Sequence, residues 1–348
     1  MRYSKQIKLP GFGLTSQQKL AHASLLVIGA GGLGCTVLQY LVAAGIGKIG
    51  IVDYDIVEVS NLPRQVLYST EDVGKLKVEV AARRLKEMNS DVNIEIFPYK
   101  LTQENGLNLI KNYTIVADCT DNFIARYLIN DICISLEKPW VFASIEGWEG
   151  QVSVFNFNNG PSYRCIFPEA PLDAPNCDDL GITGTVAAST ASMQANEILK
   201  CITGIGNTMS GKLWVMNFYN NSFNFIEFKR NEKNFLKVNI ERNSKPIMKH
   251  DLEISVEDYL QNTANYFLVD IRDRHDYEDD PSEGENIPFD ELLKALGRIN
   301  SDKRYLLLCL EGRKSLFVAY HVKEKYKIDN VYSLDGGWQK LKLVVKEI

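Results

Sequence analysis

No apolar run in this 348-residue sequence approaches the roughly eighteen residues a membrane-spanning helix needs. No charged and then apolar leader opens the chain, so no secretory signal and no membrane are expected. Histidine is scarce: His22, His250, His275 and His321 are dispersed. None of them stands with a cysteine or serine in a triad order. Seven cysteines, an odd number in a long chain, do not make a disulfide framework, and a reducing cytoplasm is the expected compartment. A basic excess is also missing. Residues 1–245 carry 24 cations and 24 acids, and residues 246–348 carry 15 and 20, which accounts for the net charge of −5. Nucleic acid is therefore not expected as a partner. Internal repeats and low-complexity segments are absent.

What is present is an ordinary globular composition, 45% hydrophobic and 24% charged, long enough for two cores. The apolar run Leu25-Leu26-Val27-Ile28 precedes Gly29-Ala30-Gly31-Gly32-Leu33-Gly34. This reads as a buried strand, a tight turn and a helix, with Gly29, Gly31 and Gly34 in the spacing that brings backbone N–H groups to phosphates. Val37, Leu38, Leu41 and Val42 continue at helical spacing, and Gly45 closes the helix. A strand at 48–53 ends in Asp53, placed like an acid that binds a ribose hydroxyl.

A polar, irregular stretch follows, Val57-Glu58-Val59-Ser60-Asn61-Leu62-Pro63-Arg64-Gln65. The next helix is expected at about 73–89, with Lys75 and Lys77 in its first turn. Cations there oppose the helix dipole unless an anion binds. Strands are expected at 93–97, 113–117 and 140–145, and Asp118-Cys119-Thr120-Asp121-Asn122 leaves the second of these. Ligands of a parallel sheet sit outside its carboxyl ends, so the glycine turn, Asp53 and Asp118–Asn122 should share one edge. A strand at 151–157, a long loop at 158–185, a helix at 186–203 and strands at 212–218 and 223–229 complete a first domain over 1–230. A linker is expected at 231–250. A smaller α/β domain follows over 251–348, with strands at 266–270, 304–308 and 330–333 and helices at 289–296 and 314–325.

Cations beside carboxylates suit a triphosphate with Mg²⁺, since Arg and Lys neutralise phosphate oxygens and a carboxylate holds the hard ion. The motifs stand in one order: Arg2-Tyr3-x-x-Gln6-Ile7, the glycine turn, Asp53-x-Asp55-x-Val57, Ser60-Asn61-Leu62-x-Arg64-Gln65, Gly74-x-x-Lys77, Asp118-x-x-Asp121-Asn122, Glu149-Gly150-Gln151 and Gln194-Ala195-x-Glu197-x-x-Lys200. Over residues 1–230 the chain closely resembles the ThiF/MoeB family, relatives of ubiquitin-activating enzymes. The resemblance implies a Rossmann-like, mainly parallel sheet with helices on both faces. It also implies ATP- and Mg²⁺-dependent adenylylation of the C-terminal Gly-Gly carboxylate of a small ubiquitin-like sulfur carrier protein, in molybdopterin or thiamin biosynthesis, by a homodimer. Carried over by position, Gly29, Gly31, Gly32 and Gly34 form the phosphate turn and Asp53 binds the ribose. Asp55, Ser60 and Asn122 belong to the same motifs. Asn61, Arg64 and Lys77 hold the phosphates, and Asp121 holds Mg²⁺.

Two positions depart from the family. Lys5 stands where an arginine usually reaches across the dimer to the other subunit's ATP, and lysine lacks the bidentate fork. Where many members carry two C-x-x-C pairs, this chain reads Ser162-Tyr163-Arg164-Cys165 and, at 230–235, has no cysteine. No zinc site is expected, because one thiol cannot make a tetrahedral centre. Cys177 matches a loop cysteine that in some members links to the activated carrier. Cys35, Cys119, Cys133 and Cys201 read as packing residues.

In the second domain, Cys309-Leu310-Glu311-Gly312-Arg313-Lys314-Ser315 follows a strand and opens a helix, where backbone N–H groups favour a thiolate. With Leu268-Val269-Asp270-Ile271-Arg272 and Leu334-Asp335-Gly336-Gly337-Trp338 it is similar to a rhodanese-like domain. That likeness implies Cys309 as a sulfur carrier, with a cysteine desulfurase as a candidate donor. Nine acids in 273–291 read as a solvated loop. Two other readings stand beside this one. A nicotinamide-dependent oxidoreductase would leave Asn61, Arg64, Lys77 and Asp121 without a role. A non-catalytic binder of a ubiquitin-like protein would not need the nucleotide set.

Overall fold

A computed structural model describes residues 2–168, 181–235, 252–289, 291–292, 303–310, 312–323 and 328–347. These fall into two compact units, one ending at residue 235 and the other beginning at 252.

The first unit opens with α1 (Ser4–Ile7), α2 (Gly13–His22), β1 (Ser24–Ile28), α3 (Gly32–Ala44) and β2 (Lys48–Val52). It continues through α4 (Lys77–Met88), β3 (Asn93–Phe97), α5 (Gln103–Ile110), β4 (Ile115–Asp118), α6 (Phe123–Ser135), β5 (Trp140–Glu146) and β6 (Glu149–Phe155). It closes with α7 (Gly184–Thr203), β7 (Lys212–Asn217) and β8 (Ser222–Glu227). One eight-stranded sheet runs β3-β2-β1-β4-β5-β6-β7-β8. The pairs from β3 to β5 are parallel, and those from β5 to β8 are antiparallel. The parallel strands are apolar because helices cover the sheet: Leu25, Leu26, Val27, Ile49, Ile51, Val116 and Ala117 are fully buried or nearly so. The order reverses between β1 and β4, and a doubly wound sheet opens a crevice at that point.

The long connection from β2 to α4 has its own internal structure. Val57 N–H donates to Lys75 O at 2.9 Å, and Lys77 N–H donates to Asp55 O at 2.9 Å. The connection therefore folds back on itself and returns to the sheet edge. Asp72, 1% exposed, pins it to α4 through Arg83 (2.9 Å) and Arg84 (2.6 Å). Burial alone would raise this carboxyl, but the Arg84 and Ser69 hydrogen bonds outweigh it and hold Asp72 well below the usual carboxylate range. Helix α4 begins at Lys77 rather than 73, because residues 74–76 are used in this fold-back. Lys75 lies before the helix and pairs with Asp72 at 3.6 Å.

The second unit has β9 (Glu253–Ile254), α8 (Val256–Gln261), β10 (Phe267–Asp270), α9 (Arg274–Asp279), β11 (Glu285–Asn286), β12 (Tyr305–Leu308), α10 (Arg313–His321), β13 (Val331–Leu334) and α11 (Gly337–Glu347). Its sheet, β11-β10-β12-β13-β9, is parallel throughout. The acidic stretch expected to be a solvated loop instead holds α9 and the edge strand β11. Arg272 is the reason. It makes a bidentate pair with buried Asp270, donates to Asp276 O and Asp280 O, and lies 5.0 Å over the Trp338 ring. The charges point outward around that buried hub.

Most of the expected helix at 289–296 and of the expected linker lies outside the described residues. Residues 232–235, placed in the linker by sequence, form a 3-10 turn.

Candidate functional site

A cavity of roughly 440 Å³ opens at the carboxyl ends of β1, β2 and β4. Its floor is the turn between β1 and α3. Gly29 has φ +98°, and a Cβ there would lie 2.5 Å from Cys119 O, so the turn excludes any side chain. Gly31 and Gly32 line the cavity, but Gly34 does not. A Cβ on Gly34 would lie 2.1 Å from Gly29 O, so this glycine lets the helix pack on its own turn.

Asp53 closes the turn from β2. Its carboxylate accepts from Ala30 N–H at 2.7 Å and Asp55 N–H at 2.8 Å. Burial raises the carboxyl above its ordinary value, opposed by these two N–H groups. Each oxygen keeps a second lone pair for a ligand hydroxyl. The fold-back brings Lys77, 5% exposed, against Asp55, with Nζ 2.9 Å from Oδ2. Arg64 Nη1 donates to Ser60 O at 2.9 Å, and Asn61 Oδ1 accepts from Glu58 N–H at 3.3 Å. Asp55, Asn61, Arg64, Lys77, Asp121 and Asn122 thus all line the cavity. Asp121 is exposed. The Asn122 side chain accepts from Ala125 N–H at 2.9 Å, so it caps α6. Ser60 is not on the wall; its hydroxyl donates to Glu58 at 3.3 Å and shapes the turn.

The other expected site residues are Lys5, Cys177 and Cys309. Lys5 is exposed on α1 and does not line this cavity. Cys177 lies outside the described residues. Cys309 belongs to the second unit, 4% exposed at the end of β12, with Sγ 3.4 Å from Ser315 Oγ. Gly312 has φ +83° and would place a Cβ 3.0 Å from Leu334 O, so the turn after Cys309 requires glycine.

Arg126 is a cavity residue that motif reading passed over. It is 3% exposed, with Nε 3.8 Å from Asp118 Oδ2, and it donates to Thr120 O at 3.2 Å. Burial pushes the Asp118 carboxyl up to about 6, against the pull of the Arg126 charge. A lone cation in the apolar run Phe123–Ser135 was the available signal. The other thiols behave as packing groups. Burial pushes Cys35 and Cys201 up to about 12 and raises Cys119 and Cys133.

The two segments where the family carries its cysteine pairs do meet in space. Cys165 Sγ accepts from Ser162 N–H (3.4 Å), Asn231 N–H (3.3 Å) and Asn234 Nδ2 (3.4 Å). N–H donors aimed at the sulfur repel a cation, so this cluster does as hydrogen bonds what a metal would do through thiolates. Among the described residues no three His, Cys, Asp or Glu side chains group as metal ligands. Metal analysis of the purified protein should therefore find far less than one zinc per chain; a stoichiometric amount would contradict this reading.

A glycine turn, a ribose-level acid and facing cations and carboxylates at a switch point define a nucleotide-binding α/β protein. The chain belongs to the ThiF family, whose model matches residues 3–237, and it carries a rhodanese-like domain matched at 255–343. It is 36% identical to the adenylyltransferase and sulfurtransferase MOCS3 of Drosophila yakuba, over 97% of this chain and 81% of that protein. It is 46% identical to the sulfur carrier protein adenylyltransferase of Thermus thermophilus, over 67% of this chain and 88% of that one. A crystal structure of E. coli MccB with ATP shares the fold, with a TM-score of 0.58 at 23% identity, over 66% of this chain and 72% of that chain. Among the described residues no helix is long and apolar enough to cross a membrane.

Proposed function

We propose that this protein uses ATP to adenylylate the C-terminal carboxylate of a small ubiquitin-like sulfur carrier protein, and that its second unit delivers sulfur to the activated carboxyl. The carrying observation is that Asp53, Asn61, Arg64, Lys77 and Asp121, far apart in sequence, line one cavity beside the glycine turn. A nicotinamide enzyme has no use for that cation set. The names of the relatives agree with this reading. The carrier ends in Gly-Gly, the sulfur donor is a cysteine desulfurase, and the setting is cytoplasmic.

The acid at Asp53 takes the ribose. Asn61, Arg64 and Lys77 hold phosphate oxygens, so that a carboxylate can approach a polyanion. Asp121 offers a hard oxygen in the cavity that Lys77 also lines, which fits Mg²⁺: that ion binds through one or two carboxylates plus substrate phosphates rather than in an all-protein cage. When bound, Mg²⁺ would neutralise charge on the phosphates.

Lys5 serves a second copy. Helix α1 rests on the far ends of α3 and α4: Gln6 Nε2 donates to Ala44 O at 3.1 Å, and Asn89 Nδ2 donates to Tyr3 Oη at 2.9 Å. The cavity sits at the opposite ends of those helices. Thirteen residues of α3 span about 20 Å, more than a lysine reaches, which supports the role the family resemblance gives Lys5, in the neighbour's cavity of a homodimer. ATP–pyrophosphate exchange with carrier should be lost in Lys5→Ala and in Asp121→Ala alone. Mixing and re-equilibrating the two should restore about a quarter of wild-type activity, since half the dimers then hold one intact site. No exchange in the wild type would remove the adenylylation reading; no recovery on mixing would remove the trans role of Lys5.

A further inference from the structure

The segment Gln194-Ala195-x-Glu197-x-x-Lys200 contributes nothing to the cavity wall, yet Gln194 is completely buried. Its Nε2 donates to Asp118 O at 2.7 Å and to Val141 O at 2.9 Å. Its Oε1 accepts from Cys119 Sγ at 3.5 Å. Asp118 and Val141 lie on the adjacent parallel strands β4 and β5, at the level where β4 gives way to the turn that carries Asp121. One amide therefore ties both strand ends and the first turn residue to α7.

The same turn is held on its other side. Asp118 Oδ1 accepts from Thr120 N–H (2.9 Å) and Oγ1 (2.6 Å), and Arg126 Nη2 donates to Thr120 O at 3.2 Å. Helix α7 has no slack against the sheet, because a Cβ on Gly150 of β6 would lie 2.0 Å from Thr190 Oγ1. Thr190 is one helical turn before Gln194 and on the same face, so the scaffold sets the height of the amide.

We infer that Gln194 is a positioning residue: by clamping the carboxyl end of β4 to α7, it sets where the Asp118–Asn122 turn presents the Asp121 carboxylate. The inference rests on the proposed adenylylation for what Asp121 does, but not for the clamp. Glutamine suits the position because one planar group supplies two donors and an acceptor. Methionine fills the same volume and withdraws a buried donor from each of the two carbonyls. A misplacement of about 1 Å at a reacting centre costs on the order of 100-fold in rate.

The test compares Gln194→Met with Glu197→Gln in the full chain. Glu197 is on the same helix, 2% exposed, and accepts from Met209 N–H at 2.8 Å, away from the turn. Amide hydrogen exchange over residues 117–124 should quicken at least about 10-fold in Gln194→Met, with β2 unchanged. Pyrophosphate exchange should lose about 10- to 100-fold in kcat and need more Mg²⁺ for half-saturation, while KM for the carrier stays within about two-fold. Glu197→Gln should lower Tm without these changes. Should Gln194→Met not fold, Gln194→Asn, whose amide falls one methylene short, is read the same way. Unchanged amide exchange over 117–124, or the same change in Glu197→Gln, overturns the inference. If the wild type shows no pyrophosphate exchange, the adenylylation reading fails, and amide exchange alone decides the role of Gln194.

Discussion

Lys77→Ala should lower kcat/KM for ATP–pyrophosphate exchange by about 1,000-fold while the fold persists. The side chain is almost fully buried at the cavity wall, where it pairs with the half-exposed carboxylate of Asp55. An ammonium held there is desolvated in advance and needs no reorganisation when phosphate charge arrives, which is where a fixed cation acts most strongly. A 1,000-fold loss corresponds to about 4 kcal/mol of transition-state stabilisation. Stability should change much less, because Asp55 is already half solvated and loses a partner without being stranded. Lys77→Arg should recover part of the rate, since it keeps the charge but spreads it over a planar fork. Steady-state exchange kinetics with circular dichroism on the three proteins check this. A Lys77→Ala enzyme within about ten-fold of wild type would take Lys77 out of the reaction.

Cys309→Ala should abolish transfer of sulfur to the carrier and leave pyrophosphate exchange within about two-fold of wild type. The thiol is buried at the carboxyl end of β12, beside the turn that opens α10, and Trp338 N–H fixes the Cys309 carbonyl at 2.8 Å. Thiosulfate can load such a thiolate as a persulfide, with sulfite leaving. Attack of the persulfide on the acyl-adenylate expels AMP, and a thiol reductant then frees the thiocarboxylate. Mass spectrometry of the carrier, with thiosulfate and reductant present, should show a thiocarboxylate with the wild type and only adenylate with the variant. Thiocarboxylate at wild-type rate from Cys309→Ala would mean that the second unit is kept for packing or partner binding. Cys177 is the other thiol that the family resemblance puts forward for linkage to the carrier.

Much of the fold was legible because it is written in local pattern. Continuous apolar runs at 25–28, 49–52 and 115–117 announce strands buried on both faces, and Gly45 ends its helix with φ +86° as expected. The errors are tertiary in origin. The helix expected from residue 73 starts at Lys77, because pairing of 55–57 with 74–77 consumes the first residues. The acidic stretch expected to be a solvated loop folds around Arg272, which pairs with the buried Asp270 carboxylate and donates to the Asp276 and Asp280 carbonyls, contacts that no composition reveals. Ser60 and Gly34 sit inside correct motifs, yet they shape the turn and the helix contact and do not face the cavity.

Residue types in order were enough to name the family and to pick out several residues that line the cavity, since chemistry that must neutralise a polyanion leaves cations, glycines and carboxylates at recognisable spacings. What required three dimensions was which of them face one another. Lys77 meets Asp55 across 22 positions through a loop that folds back, Arg126 goes under the cavity from an apolar helix, and Gln194 reaches Asp118 from 76 positions away. Hydrogen bonds between distant segments satisfy buried polar groups and leave little trace in local pattern, so only the packed structure decides them.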